Sequence, residues 1–451
     1  MLNNLSTYRL FNLIDSSVSF RHKKSDMSLD FQPVAWSFNT NIYEVNLRQY
    51  TSEGTFAAFA NELPRLKEMG IETLWFMPIT PISNEKRLGS LGSYYSCSDY
   101  TSTNPEFGSV EDFKLLVKVA HGLGLKVLID WVANHTGWDH HWTKEHPEFY
   151  RFNAEGNFFD ANGWEDVIDL NYYNSSLRTN MIEAMRFWVT TCDIDGFRCD
   201  MAMLVPLDFW RGAREILDQE KKLFWLAECE EILYHDVFDA TYSWKLLHSM
   251  EALWRREKSL SAFKDVLIEY QEKFPPTAVH ALFTTNHDEN SHSGSEYERM
   301  GDAAEVFAVL CCTWDGLPLI YSGQELPNLK RLKFFDKDEI PWTDQYELHD
   351  FYKALLHLRK RNKALRAGDP LVKTIFIETD FVENVLAYSR TAGEEEIFVV
   401  LNFSGAFIKL QIKDNSLQGA YKNIFTNEVI NLPAKHSLDM RAWDFAVFEK
   451  L

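Results

Sequence analysis

Six cysteines in 451 residues, Cys97, Cys192, Cys199, Cys229, Cys311 and Cys312, show neither metal-ligand spacing nor the density of a disulfide framework. Reduced, mostly buried thiols are the expected state. Basic charge is also in deficit. With 46 basic against 66 acidic residues the net charge is −20, which argues against nucleic acid or another polyanion as partner. No apolar run reaches the length needed to span a bilayer. The first 26 residues hold two short apolar stretches, RLFNLI and SVSF, without a continuous hydrophobic region and small-residue cleavage site. These absences point to no membrane partner and a cytoplasmic location. Met27 offers an alternative start, so residues 1–30 read as an N-terminal extension. No internal repeat or low-complexity tract is evident, and nothing in the sequence sets the oligomeric state.

What is abundant is aromatic: 14% of residues, including 14 Trp. Most such rings belong to cores, but apolar sugar faces also stack on them. From about residue 40, strand-like and helix-like segments alternate. IYEVN (42–46), TLWFMPI (73–79) and KVLIDWV (126–132) read as buried strands. Further strands are expected at 196–202, 223–229, 237–243, 280–286 and 317–322. Phe56, Phe59, Leu63, Leu66 and Met69 recur at helical spacing, as do Leu177, Met181, Met185 and Trp188; VEDFKLLVKVAHGLG (110–124) reads as a helix ended by Gly122 and Gly124, and further helices begin near Pro206, Trp244, Ala303 and Glu347. Eight β-then-α units predict a (β/α)8 barrel over 31–132 and 173–368.

The alternation stalls at 133–172, a polar and aromatic stretch expected to form a small inserted domain beside the mouth. Beyond Gly368-Asp369-Pro370, VLAYSR, EIFVVLNFS, FIKLQI and AWDFAVFE alternate with period two, predicting a C-terminal all-β sandwich domain over 369–451.

Three acids sit at the ends of apolar runs: Asp200 in IDGFRCDMA, Glu228 in LFWLAECEE and Asp288 in LFTTNHDEN. A carboxylate at the C-terminal end of a barrel strand faces the mouth where such barrels carry their chemistry. Two carboxyl groups across a glycosidic bond suffice to hydrolyse it. A lone strand-end Asp is more often a helix cap or an ion-pair partner. Three acids on one rim with Arg198, His135 and His287 favour catalysis.

In order along the chain, YYSCSDY (94–100), DWVANH (130–135), IDLN (168–171), GFRCD (196–200), AE (227–228) and NHD (286–288) resemble the sequence motifs of the α-amylase family, glycoside hydrolase family 13, from about residue 40 to the C-terminus. The resemblance implies a retaining glycosidase acting on α-1,4 bonds of starch-type glucans or maltodextrins. Asp200 is then the nucleophile, Glu228 the general acid and base, and Asp288 a holder of sugar hydroxyls. Tyr95, His135, Arg198 and His287 bind substrate or orient the nucleophile; Asp130 is structural. Arg198, two positions before Asp200 on a strand, points to the same side and should lower the Asp200 pKa while that of Glu228 is raised.

The resemblance also implies a Ca2+ site at Asn134 and Asp169, oxygen donors of the right kind, although relatives that bind no calcium there carry both residues. His140, His141 and His146 with Asp139 lack zinc-site spacing and read as a polar, solvated loop. Trp138, Trp142 and Trp164 are candidates for sugar platforms or local core. One departure concerns the second motif: where typical members continue to Lys-His, this chain has Met203 and Leu204, a more apolar acceptor side. Substrate length therefore stays open. The alternatives are a family transglycosylase, an α-glucosidase or cyclomaltodextrinase on short substrates, and a non-catalytic sugar-binding relative.

Overall fold

The structure is a computed structural model that describes residues 33–343, 346–433 and 437–451. The expected N-terminal extension lies outside the described residues. Eight parallel strands close a barrel: β1 (Ile42–Val45), β2 (Thr73–Phe76), β3 (Lys126–Trp131), β6 (Gly196–Cys199), β7 (Phe224–Ala227), β8 (Ala240–Tyr242), β9 (His280–Leu282) and β10 (Leu317–Tyr321), in the cyclic order β1-β10-β9-β8-β7-β6-β3-β2. Almost every residue of these strands is buried, because packed side chains fill one face and helices cover the other.

The predicted helix over 56–69 is two short helices, Phe56–Ala60 and Leu63–Met69. Pro64 lacks the N–H that would continue the first turn into the second, and sits instead at the start of a new helix. Its apolar face survives the break: Phe56, Phe59, Leu63, Leu66 and Met69 are all fully buried. β9 is also shorter than the expected 280–286. The Thr284 carbonyl accepts from Arg299 and the Asn286 side chain accepts from Glu289 N–H, so this backbone leaves the ladder and turns over the mouth.

In the insertion after β3, β4 (His135–Gly137) pairs antiparallel with β5 (Val167–Asp169), placing His135 opposite Asp169. The C-terminal region forms a six-stranded antiparallel sheet from β11 (Lys373–Phe376), β12 (Val385–Ala392), β13 (Glu395–Asn402), β15 (Gly419–Asn423), β16 (Val429–Leu432) and β18 (Phe445–Lys450), in the order β11-β12-β13-β18-β15-β16. The pair β14 (Ile408–Gln411) and β17 (Ser437–Met440) packs on it through Ile408, Leu410, Phe398, Val400 and Phe448. β11, β15, β16 and β17 were not among the predicted strands. All are four or five residues long, with alternating exposed or half-exposed positions that weaken an apolar signal.

Gly196 opens β6 where that strand runs tightest against β7. A Cβ there would lie 1.9 Å from the Phe224 carbonyl oxygen, and neither backbone can move without breaking the ladder. Gly196→Ala is expected to destabilise the barrel by about 2–3 kcal/mol or more, read by urea or thermal denaturation. An unchanged transition would contradict this packing.

Candidate active site

Arg198 stands at the centre of the mouth, fully buried. It is the register partner of Asp130 across β3 and β6, and its Nη1 donates to Asp130 Oδ1 at 2.9 Å and to Asp200 Oδ1 at 3.0 Å. Its Nη2 is 2.9 Å from Glu228 Oε2, out of line for a hydrogen bond. Nε donates to Tyr242 Oη at 3.2 Å, and the guanidinium lies over the rings of Trp75, Tyr242 and Tyr95 at 4.9, 5.5 and 5.8 Å. One cation thus gathers three carboxylates in an apolar wall, where its charge is weakly screened.

The backbone around the two key acids is fixed as an extension of the barrel ladder. Asp200 N–H donates to the Trp131 carbonyl and Glu228 N–H to that of Cys199, each at 3.0 Å. Met201, in the left-handed region at φ 39°, aims its N–H at Glu228 Oε2, 2.8 Å away. Such a conformation is strained for a residue other than glycine; here it directs a donor onto one oxygen of Glu228.

Asp288 follows β9, two strands round the rim from β7, its side chain partly exposed and 3.3 Å from His287 Nε2. The His287 ring is stacked on Tyr95, with centroids 5.4 Å apart at 18°. Tyr95 Oη lies 3.0 Å from Asp130 Oδ2 and 2.7 Å from His287 Nε2. His135 is buried at the edge of the insertion, its ring 5.4 Å from that of Trp164. Asp200, Glu228, Asp288, Arg198, Tyr95 and His287 are therefore joined by contacts at one rim.

The electrostatics differ from the sequence expectation at Asp200. Burial pushes Glu228 up to about 7, with Asp200 and Asp288 adding to the rise and Arg198 opposing it. Asp200 was expected to be lowered. Burial also raises it to about 7, with Asp130 and Asp288 adding and Arg198 opposing. The two acids titrate as a pair. What distinguishes them is geometry: Asp200 receives an aligned charge-assisted bond from Arg198, whereas Glu228 does not. The two histidines separate cleanly. Burial lowers His135 to about 4 and keeps it neutral, while Asp288 and Glu44 overcome burial and raise His287 to about 9.

Of the two residues expected to hold Ca2+, Asp169 has protein groups against both carboxylate oxygens, whereas Asn134 is engaged through Nδ2. Asp169 Oδ1 is 3.4 Å from Asn134 Nδ2, and Oδ2 accepts from Arg151 Nη1 and Ala161 N–H, each at 3.1 Å. No group of three or more His, Cys, Asp or Glu converges on a metal position among the described residues. Of the other candidates, Trp142 is buried against Phe149, and Trp138 lies under Lys86. Trp164, beside His135, is the one that borders the site. His141 is exposed as a solvated loop requires, but His140 is fully buried between His141 and Tyr100. The sequence reading missed Glu44 and Met201; Glu44 lies inside a strand that reads only as apolar.

A closed parallel barrel with acids at the ends of β6 and β7 and after β9 defines the class, and comparison with known proteins gives the family. The family described as "Alpha amylase, catalytic domain" matches residues 19–165 and 148–341. This chain belongs to the α-amylase family. It is similar to the α-amylase MalA of Haloarcula japonica, 27% identical over 390 residues, which cover 82% of this chain and 56% of MalA. The chain thus spans little more than half of that relative's length. Among solved structures it is similar to the maltogenic α-amylase AmyB of Thermotoga neapolitana (TM-score 0.80, 32% identity, 91% of this chain and 96% of that one). It is likewise similar to an α-amylase from Lactobacillus plantarum (TM-score 0.82, 29% identity, 92% and 99%).

Because burial raises both acids to about 7, the Asp200/Glu228 pair should gain and lose its protons near neutral pH. Carboxyl 13C NMR across a pH series checks this; both carboxyls titrating in the ordinary carboxylate range would contradict it.

Proposed function

We propose that this chain is a retaining glycoside hydrolase that cleaves α-1,4-glucosidic bonds in starch-type glucans or maltodextrins. The observation that carries the reading is the Asp200/Glu228 pair at adjacent strand ends, held by one buried Arg198. Asp200 attacks the anomeric carbon as Glu228 delivers a proton to the leaving oxygen; the C–O bond breaks and a covalent β-glycosyl ester forms. Glu228, now ionised, takes a proton from water, which attacks the same carbon and releases Asp200. Two inversions leave an α-anomer. Asp288 and His287 hold hydroxyls of the reacting sugar and Tyr95 packs beneath it; neutral His135 donates from the insertion side.

A second reading, action on short substrates as a cyclomaltodextrinase or α-glucosidase does, is favoured by Met203 and Leu204 on the acceptor side. Met203 is partly buried against the core and offers no charge to a long chain's hydroxyls. Transfer to a sugar acceptor instead of water uses the same intermediate. We infer a reducing, cytoplasmic setting, supported by six buried free thiols; no described helix is long and apolar enough to cross a membrane.

Glu228→Gln removes the acid but leaves the nucleophile. It should lose glucan cleavage by about 100-fold or more, yet still react with α-glucosyl fluoride, whose leaving group needs no proton. Asp200→Asn should lose both reactions while keeping its melting curve. Cleavage of starch by Glu228→Gln at near the parent rate would place the acid elsewhere.

We infer that Arg151, rather than a metal ion, is the cation paired with Asp169 where the insertion meets the barrel, partly offsetting the burial and the nearby Asp160 that raise its carboxyl to about 6. Chelation should then leave the melting temperature unchanged, while Arg151→Met lowers it. A chelator-induced drop reversed by added Ca2+ would show a bound metal instead.

A further inference from the structure

Glu44 lies near the end of β1 with its carboxylate fully buried under His287. Oε1 faces His287 Nδ1 at 2.5 Å and the His287 backbone N–H at 3.4 Å; Oε2 has no hydrogen-bond partner. An ionised carboxylate only accepts hydrogen bonds, so Nδ1 must carry a proton. At the other end of the ring, Nε2 faces Tyr95 Oη at 2.7 Å and Asp288 Oδ2 at 3.3 Å. Tyr95 already spends its one hydroxyl proton on Asp130 Oδ2, 3.0 Å away. Its oxygen is therefore left to accept, and Nε2 must carry a proton as well.

We propose that Glu44 is a positioning residue: it keeps both ring nitrogens of His287 protonated and so aligns a donor chain from His287 through Tyr95 to Asp130. That chain ends on the carboxylate that shares Arg198 with Asp200. The first strand thereby reaches the nucleophile without touching substrate. The ring has little freedom to rotate out of this line, being stacked on Tyr95 and on Phe334 (6.2 Å, 29°) and met edge-on by Trp75 (5.9 Å, 79°).

The charged and titratable groups facing His287 are Glu44 on β1, Tyr95 after β2, Asp130 on β3, Arg198 on β6 and Asp288 on its own loop. Asp288 and Glu44 favour the imidazolium, and Arg198 and burial oppose it, with the balance on the charged side. Burial raises the pKa of Glu44 too, and His287 and Arg198 pull it back. A charged His287 keeps both of its donors, one on Glu44 and one on Tyr95, across the whole working range, and here the inference rests on the proposed role of Asp200 at the reacting sugar.

The experiment is long-range 1H–15N NMR of the full chain labelled at histidine nitrogens, with His287 assigned by its absence in His287→Asn. In the parent protein both ring nitrogens should give protonated shifts at about pH 8, well above the unperturbed histidine value. Glu44→Gln should convert His287 to the singly protonated form at that pH. It should also lower kcat/KM on maltotriose by about 10–100-fold, the weight of a charged hydrogen bond. Glu44→Asp keeps the charge and should keep both protons, which leaves a readout should the amide variant fail to fold. A singly protonated His287 in the parent, or an unchanged doubly protonated ring in Glu44→Gln, overturns the proposal. A doubly protonated ring in a parent protein that cleaves no glucan overturns the functional reading and leaves the role of Glu44 in place.

Discussion

Arg198 is a buried cation set among Asp130, Asp200 and Glu228, and the order of the mouth follows from it. Removing an ion from water is expensive, so this guanidinium is retained only because carboxylates and aromatic faces surround it. Asp130 is its fixed partner, also accepting from Trp75 Nε1 at 3.2 Å and from Tyr95. Removing that carboxylate would leave a buried charge underbalanced, at a cost of about 3–5 kcal/mol. Asp200 and Glu228 are the partners that chemistry can change. In the proposed mechanism Asp200 is ionised while Glu228 gives up and regains a proton, and the shared cation lies beside both.

The barrel supplies the rigidity. β6 and β7 approach closely because Gly196 has no side chain, and the ladder runs on through Asp200 and Glu228. Less regular backbone then does the aiming: Met201 in its left-handed conformation, and the turn after β9 that carries His287 and Asp288. The insertion adds His135 from a two-stranded ladder with Asp169. Two histidines at one mouth consequently hold opposite charge states. His135 is desolvated with little compensation, whereas His287 lies between two carboxylates.

Much of this was legible in the chain. Seven of the eight barrel strands announce themselves as apolar runs, because parallel strands are covered on both faces; β8 lies in the weaker stretch 237–243. Asp200 and Glu228 stand one residue past the runs that end in Cys199 and Ala227. Less legible was whatever depends on contacts distant in sequence. The raised pKa of Asp200 requires knowing how deeply its carboxyl is buried and that Asp130 and Asp288 lie near it. The engagement of Asp169 depends on Arg151, 18 positions earlier across a hairpin. Glu44 lies 243 positions from His287 and has no local signal beyond being a charge inside an apolar strand. The short strands β11, β15, β16 and β17 were hidden by polar alternation.

The central claim is that Asp200 forms a covalent bond to the sugar. A 5-fluoro-α-glucosyl fluoride forms such an ester readily but destabilises the positive charge needed to break it, so the intermediate accumulates. Intact-mass spectrometry followed by peptide mapping then locates the adduct. The expected result is one added glycosyl group on the peptide containing Asp200, absent in Asp200→Asn and still formed in Glu228→Gln. A label on Glu228 or Asp288, or full inactivation without covalent mass, would contradict the account.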